Sequence, residues 1–106
     1  MKKIALSFAS LVLVGTAGLA NAGNIDAGKA VYESKGCVGC HGANGISAVP
    51  IYPNLAGQKQ QYLSMAIKAY KDGHRNSTNA AAMKPMSMLL NDTEIADVAA
   101  YLAGLK

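Results

Sequence analysis

The sequence predicts an all-α domain of three main helices joined by loops. Three observations carry that prediction. Apolar residues recur at helical spacing in three separate stretches, the last with Ile95, Val98, Ala99 and Leu102 at i, i+3, i+4 and i+7. Capping residues stand where those stretches begin. The segment 42–57 between the first two carries Gly42, Gly45 and Gly57 with Pro50 and Pro53 and follows neither the helical nor the strand period.

The first 22 of the 106 residues form a separate block: Met1-Lys2-Lys3, an apolar run from Ile4 to Leu19, then Ala20-Asn21-Ala22. A basic start, an apolar middle and an A-x-A site make a secretory signal peptide. The other reading is a membrane anchor, but the run of about 16 residues is short of the ~20 that span a bilayer. Residues 1–22 are therefore expected to be cleaved, leaving 23–106 with no stable membrane anchor, exported to a bacterial periplasm.

That mature chain has 84 residues. With Lys2 and Lys3 gone, eight Lys and Arg face six acids, and the formal charge falls from +4 to +2. A strongly basic surface for nucleic acid is excluded. The only Phe also leaves, so the aromatics are Tyr32, Tyr52, Tyr62, Tyr70 and Tyr101. A domain of this size buries only ~60–65% of the surface its unfolded chain exposes, so something besides side chains is expected to complete its core.

The elements follow in order. Asn24 or Asp26 caps a first helix reaching about Gly36, with Ala27, Ala30 and Val31 as its apolar stripe and Tyr32 beside it. Gly28 removes a side chain there, which lets another helix cross closely. A second helix spans about 59–72, with Tyr62, Leu63, Ala66, Ile67 and Tyr70 on a broad apolar face and Gly73 as its stop. Met65 lies inside it and reads as core. The third begins after Asn91, with Glu94 three residues on as in a capping box.

Cys37 and Cys40 are separated only by Val38 and Gly39, and His41 follows at once. A disulfide closing so small a loop constrains little of the unfolded chain. A thioredoxin-like pair needs a neighbouring strand and helix, and no strand run follows. A zinc site wants four ligands, and only the distant His74 would join these three. The string C-x-x-C-H is instead the attachment signature of c-type haem. Two thiols on about one helical turn add to the two vinyl groups along one porphyrin edge, and the adjacent imidazole reaches the iron from one face.

A six-coordinate iron then needs a ligand opposite His41. Met83-Lys84-Pro85-Met86-Ser87-Met88 follows the polar, weakly structured stretch 76–79. It reads as a loop that wraps the far side of the haem and presents a thioether to the iron. Soft thioether ligation raises the reduction potential relative to a second imidazole. Three Met lie within six residues; spacing alone does not select one, and those not bound would fill gaps around the porphyrin.

At this point the chain resembles a known family, the class I c-type cytochromes, and is similar to the small bacterial monohaem cytochrome c-553 type. The resemblance covers the whole of 23–106. It rests on Gly28 to Tyr32, on Cys37 to His41, on Pro53-Asn54-Leu55-Ala56-Gly57, on Met83 and Met86 followed by Leu90-Asn91-Asp92, and on Ala100-Tyr101-Leu102.

The resemblance implies a small cytochrome c fold wrapped around one covalently attached haem. It places the axial Met on Met83, seven residues before Leu90, and implies that the Pro53 carbonyl orients His41 and that the first and last helices cross near Gly28, Tyr32 and Tyr101. Leu55, Ile51, Leu63, Ile67, Val98 and Leu102 are the expected apolar lining; Arg75, Lys59, Gln58, Tyr52 and Tyr62 are the candidate donors to the propionates. The function implied is single-electron transfer by a non-enzymatic carrier. Its haem iron cycles between Fe(III) and Fe(II), and redox proteins dock transiently at the haem edge of what is expected to be a monomer. If the leader is cleaved as read, N-terminal sequencing of the exported protein finds Gly23 first.

Overall fold

The computed structural model describes residues 23–105; the expected signal peptide, residues 1–22, lies outside the described residues. All regular structure among the described residues is helical: α1 (Ile25–Ser34), α2 (Cys37–His41), α3 (Gln60–Lys71), a 3-10 turn (Thr78–Ala80), α4 (Met83–Met88) and α5 (Asp92–Ala103). No described helix is long and apolar enough to cross a membrane.

Local chemistry sets the boundaries. The Asn24 side chain accepts the Ala27 N–H at 2.9 Å and starts α1. That helix stops at Ser34, short of the expected Gly36, because Gly36 turns to φ +84° and becomes the N-cap of α2. The capping box of α5 is complete: the Glu94 N–H donates to the Asn91 side chain at 2.8 Å, and the Asn91 N–H donates to the Glu94 carboxylate at 3.0 Å.

The stretch expected as a loop holds a short helix. Pro85 is its third residue, where a missing N–H costs nothing because the first four N–H groups of a helix have no partner within it. The helix sorts the methionines. Met83 and Met86, at i and i+3, share a face; Met88 falls elsewhere and is 60% exposed. Met65 also departs from expectation. It is 63% exposed, because it stands about 200° around α3 from Leu63, opposite the apolar face.

The core has two unequal parts. The first is the crossing of α1 on α5, the most extensive helix contact. A Cβ added to Gly28 would overlap the Asp97 carbonyl oxygen and lie 2.9 Å from Tyr101 Cβ. The Tyr32 and Tyr101 rings meet there at 5.7 Å and a tilt of 51°. Asp97 joins the crossing by accepting the Asn24 N–H at 2.8 Å. From α5, Ile95, Val98, Ala99 and Leu102 are all buried.

The second part is an apolar cavity of about 350 Å³ between this crossing and α2, α3 and α4. In α3 only Leu63 is buried; Tyr62, Ala66, Ile67 and Tyr70 face the cavity. That helix therefore turns much of its apolar face to whatever fills the space, while Leu63 and Ile67 pack on the core. A chain carrying both Cys37→Ala and Cys40→Ala, and so unable to attach haem, is expected to lose at least the helical circular dichroism that α3 contributes, and to melt without a cooperative transition.

Candidate haem site

The site begins with a turn that glycine permits. At the end of α2, Gly42 adopts φ +85°, and a Cβ there would overlap the Ile46 carbonyl oxygen. The chain reverses and closes on itself: the Gly45 carbonyl accepts the Leu55 and Ala56 N–H groups at 2.8 and 3.1 Å. The Asn54 side chain accepts the Ser47 N–H at 2.8 Å, and Ser47 Oγ donates to the Cys40 carbonyl at 3.2 Å. This closure brings Pro53 back over α2.

His41 is buried, and its Nδ1 lies 2.9 Å from the Pro53 carbonyl oxygen. A carbonyl oxygen only accepts, so Nδ1 is a protonated nitrogen and Nε2 is the one left for a metal. The imidazole is thereby held in one tautomer and one orientation, as metal-bound histidines are by outer partners. Tyr52 stands beside it, its ring centroid 6.2 Å away.

The Tyr32 hydroxyl donates to the Gly42 carbonyl at 2.5 Å, which ties α1 to the end of α2. Burial, with the neighbouring Cys37 and Tyr101, pushes its phenol up to about 12. Burial also raises the Cys37 thiol. A thioether has no proton to lose and no charge to desolvate, so burial at Cys37 suits the attached form. Cys40 is exposed where Cys37 is half-buried.

One cavity takes both cysteines, His41, Pro53, Leu55, Met83 and Met86 into its wall, with Ile51, Leu63, Ile67, Val98 and Leu102. Ile51 lines it while remaining 62% exposed, so it sits at the rim. Met88 and His74 do not line it, and neither does Lys59 among the candidate propionate donors; Gln58, Tyr52, Tyr62 and Arg75 do. Arg75 stacks over Tyr70, 4.6 Å from the ring centroid, which orients its guanidinium at the cavity. Sequence reasoning missed the Asn54 and Ser47 brace, the Tyr32 bond to Gly42, and Lys71, whose Nζ donates to the Leu90 carbonyl at 2.6 Å.

The donor set fits a haem. Two thiols stand one helical turn apart, a neutral imidazole has one free nitrogen, thioethers share the wall, and the rest is apolar, within the size range of cofactor pockets. Fold and site together define a helical protein built around covalently attached c-type haem. The family model for cytochrome c matches residues 25–106. The cytochrome c-554(548) of Halomonas halodenitrificans is 57% identical over 65 residues, 61% of this chain and 78% of that protein. The cytochrome c4 of Pseudomonas aeruginosa is 39% identical over an alignment covering 100% of this chain and 50% of that one. The crystal structure of reduced recombinant cytochrome c4 from Pseudomonas stutzeri matches with a TM-score of 0.69 at 32% identity, covering 80% of this chain and 47% of that one. The chain thus spans about half the length of the cytochrome c4 proteins it matches. It belongs to the cytochrome c family and carries one haem c with its iron.

Tyr32→Phe leaves the Gly42 carbonyl without its donor, and is expected to cost the holoprotein about 1–2 kcal/mol at neutral pH in guanidinium unfolding. The sign with pH is set by the raised phenol. Its stabilising effect is complete below the ordinary tyrosine value of 10.0 and is lost as pH climbs from there through the value raised by burial. The gap between wild type and Tyr32→Phe should therefore narrow between those values.

Proposed function

We propose that this chain is a periplasmic single-electron carrier, not an enzyme, with His41 and Met83 as the axial ligands of its haem. The observation that carries the reading is that α2 and α4 bring an imidazole with a free Nε2 and a thioether into one apolar cavity. The haem supplies the one-electron couple, its iron cycling between Fe(III) and Fe(II). The protein's part is to hold both donors still, so that coordination geometry changes little when an electron arrives, and to keep water from the metal with Leu55, Leu63, Ile67, Val98 and Leu102. Thioether ligation and an apolar surround both favour the less charged ferrous state and raise the potential.

Met83 is favoured over Met86 by packing. A Cβ built on Gly36 would lie 3.4 Å from the Met86 methyl, so that side chain is already seated against the start of α2. Exchange with partners is assigned to the edge near Cys40. Cys40 is exposed, and the loop hydrogen-bonded to its carbonyl through Ser47 carries the exposed apolar residues Ile46, Val49 and Ile51. Such a small, partly apolar rim suits the brief encounters of redox proteins. Export to the periplasm rests on the signal-like block 1–22 and on the need to attach haem.

Visible spectra of the oxidised and reduced holoprotein test this. A low-spin c-type spectrum with the weak far-red band of thioether bound to ferric iron is expected. Met83→Ala should abolish that band and allow carbon monoxide to bind, whereas Met86→Ala should keep it. The reverse pattern would move the ligand to Met86; a wild type without the band would remove methionine from the iron.

A further inference from the structure

The last turn of α3 holds two lysines three residues apart, and both reach beyond their own helix to the junction of α4 and α5. Lys68 Nζ lies 3.5 Å from the Asp92 carboxylate. Lys71 Nζ donates to the Leu90 carbonyl oxygen at 2.6 Å. The two contacts differ in kind. Lys68 and Asp92 have side chains 52% and 79% exposed, so water screens the pair. Lys71 is half-buried and Leu90 is buried, with the Leu90 side chain on the cavity wall.

The Leu90 carbonyl sits where helix geometry offers it little. It precedes the cap of α5, and the N–H groups that open that helix are used elsewhere: Glu94 N–H goes to the Asn91 side chain and Ile95 N–H to the Asn91 carbonyl. The ammonium of Lys71 takes that place with a charge-assisted bond. Leu90 is in turn continuous with α4, since its N–H returns to the Ser87 carbonyl at 3.1 Å and Leu89 N–H to the Met86 carbonyl at 3.2 Å.

A helix of six residues does not hold itself together in water. The residues leading into α4, from His74 to Asn79, are exposed, whereas Ser87 near its C-terminal end and Leu90 just beyond it are buried, so part of the hold on α4 falls there. We propose that Lys71 is a positioning residue for the axial ligand: through the Leu90 carbonyl it anchors α4 and keeps the methionine on the iron. This rests on the reading that an α4 methionine is the ligand, and holds equally for Met83 or Met86.

The test is displacement of the methionine from the ferric holoprotein by free imidazole, followed in the far-red band. Lys71→Met is expected to bind imidazole about 10-fold more tightly than wild type, the scale of a lost charged hydrogen bond, with the band still present before imidazole is added. Lys71→Arg should return the affinity to within about 2-fold, and Lys68→Met should leave it unchanged. Should Lys71→Met fail to mature, Lys71→Gln, a neutral donor, is expected to shift affinity about 3-fold in the same direction. Unchanged imidazole affinity in Lys71→Met, or in Lys71→Gln where that variant replaces it, overturns the proposal, as does an equal shift in Lys68→Met, which would make the effect one of helix charge. A wild type without the far-red band overturns the ligand reading on which the proposal stands; a band with no Lys71 effect overturns the proposal alone.

Discussion

The structure depends on one constraint: the chain is too small to fill its own centre. Its tight packing is concentrated where α1 crosses α5, at Gly28, Tyr32 and Tyr101. Beside that crossing lies a space of about 350 Å³ whose walls are apolar. Exposed to water, those walls would be a large unfavourable surface at roughly 25 cal/mol per Å². Covalent attachment at Cys37 and Cys40 settles the occupant of that space for the life of the protein. With the porphyrin held by bonds, α3 can be a helix that leaves Tyr62, Ala66 and Tyr70 on the cavity wall. The absence of Trp, and of Phe beyond residue 8, is the compositional trace of the same arrangement.

The two sides of the cavity are held differently, and the difference follows from local backbone chemistry. On the His41 side, the loop 42–57 closes through Gly45, Ser47 and Asn54, and Pro53 grips the imidazole. That side is cross-braced by hydrogen bonds between residues about ten apart and by the Tyr32 bond to Gly42. On the α4 side, a single short helix carries the thioethers, entered through exposed residues and tied at its end by Ser87, Leu90 and Lys71. By these bonds the imidazole side is the more cross-linked of the two.

Legibility in the sequence follows the range of the physics involved. Cys37, Cys40 and His41 are readable because bonding to a rigid porphyrin imposes a fixed spacing. The capping box of Asn91 and Glu94 and the start of α1 at Asn24 are readable because each is settled within four residues. The crossing at Gly28 was anticipated partly from the missing side chain and partly from the family resemblance. The helical state of 83–88 escaped notice because Pro85 reads as a breaker and is one only in a helix interior. Met65 reads as core from its apolar type alone, but its angular position on α3 turns it to solvent. Lys71 has no sequence signature at all: its partner is a carbonyl 19 residues away, and a carbonyl is the same at every position.

The sorting of the methionines shows how a small structural fact narrows a chemical one. By spacing alone in a loop, Met83, Met86 and Met88 are three comparable donors, and only the family resemblance points to Met83. Wound into α4, they are no longer equivalent, because 100° per residue puts 83 and 86 on one face and turns 88 to solvent. The cavity wall includes the first two and leaves out the third. Of those two, the Met86 methyl lies close to Gly36 at the start of α2, while Met83 stands at the first residue of α4. A short helix in place of a loop therefore does what a longer polypeptide would do by added packing. It brings two sulfurs to the cavity wall and leaves the third out of it.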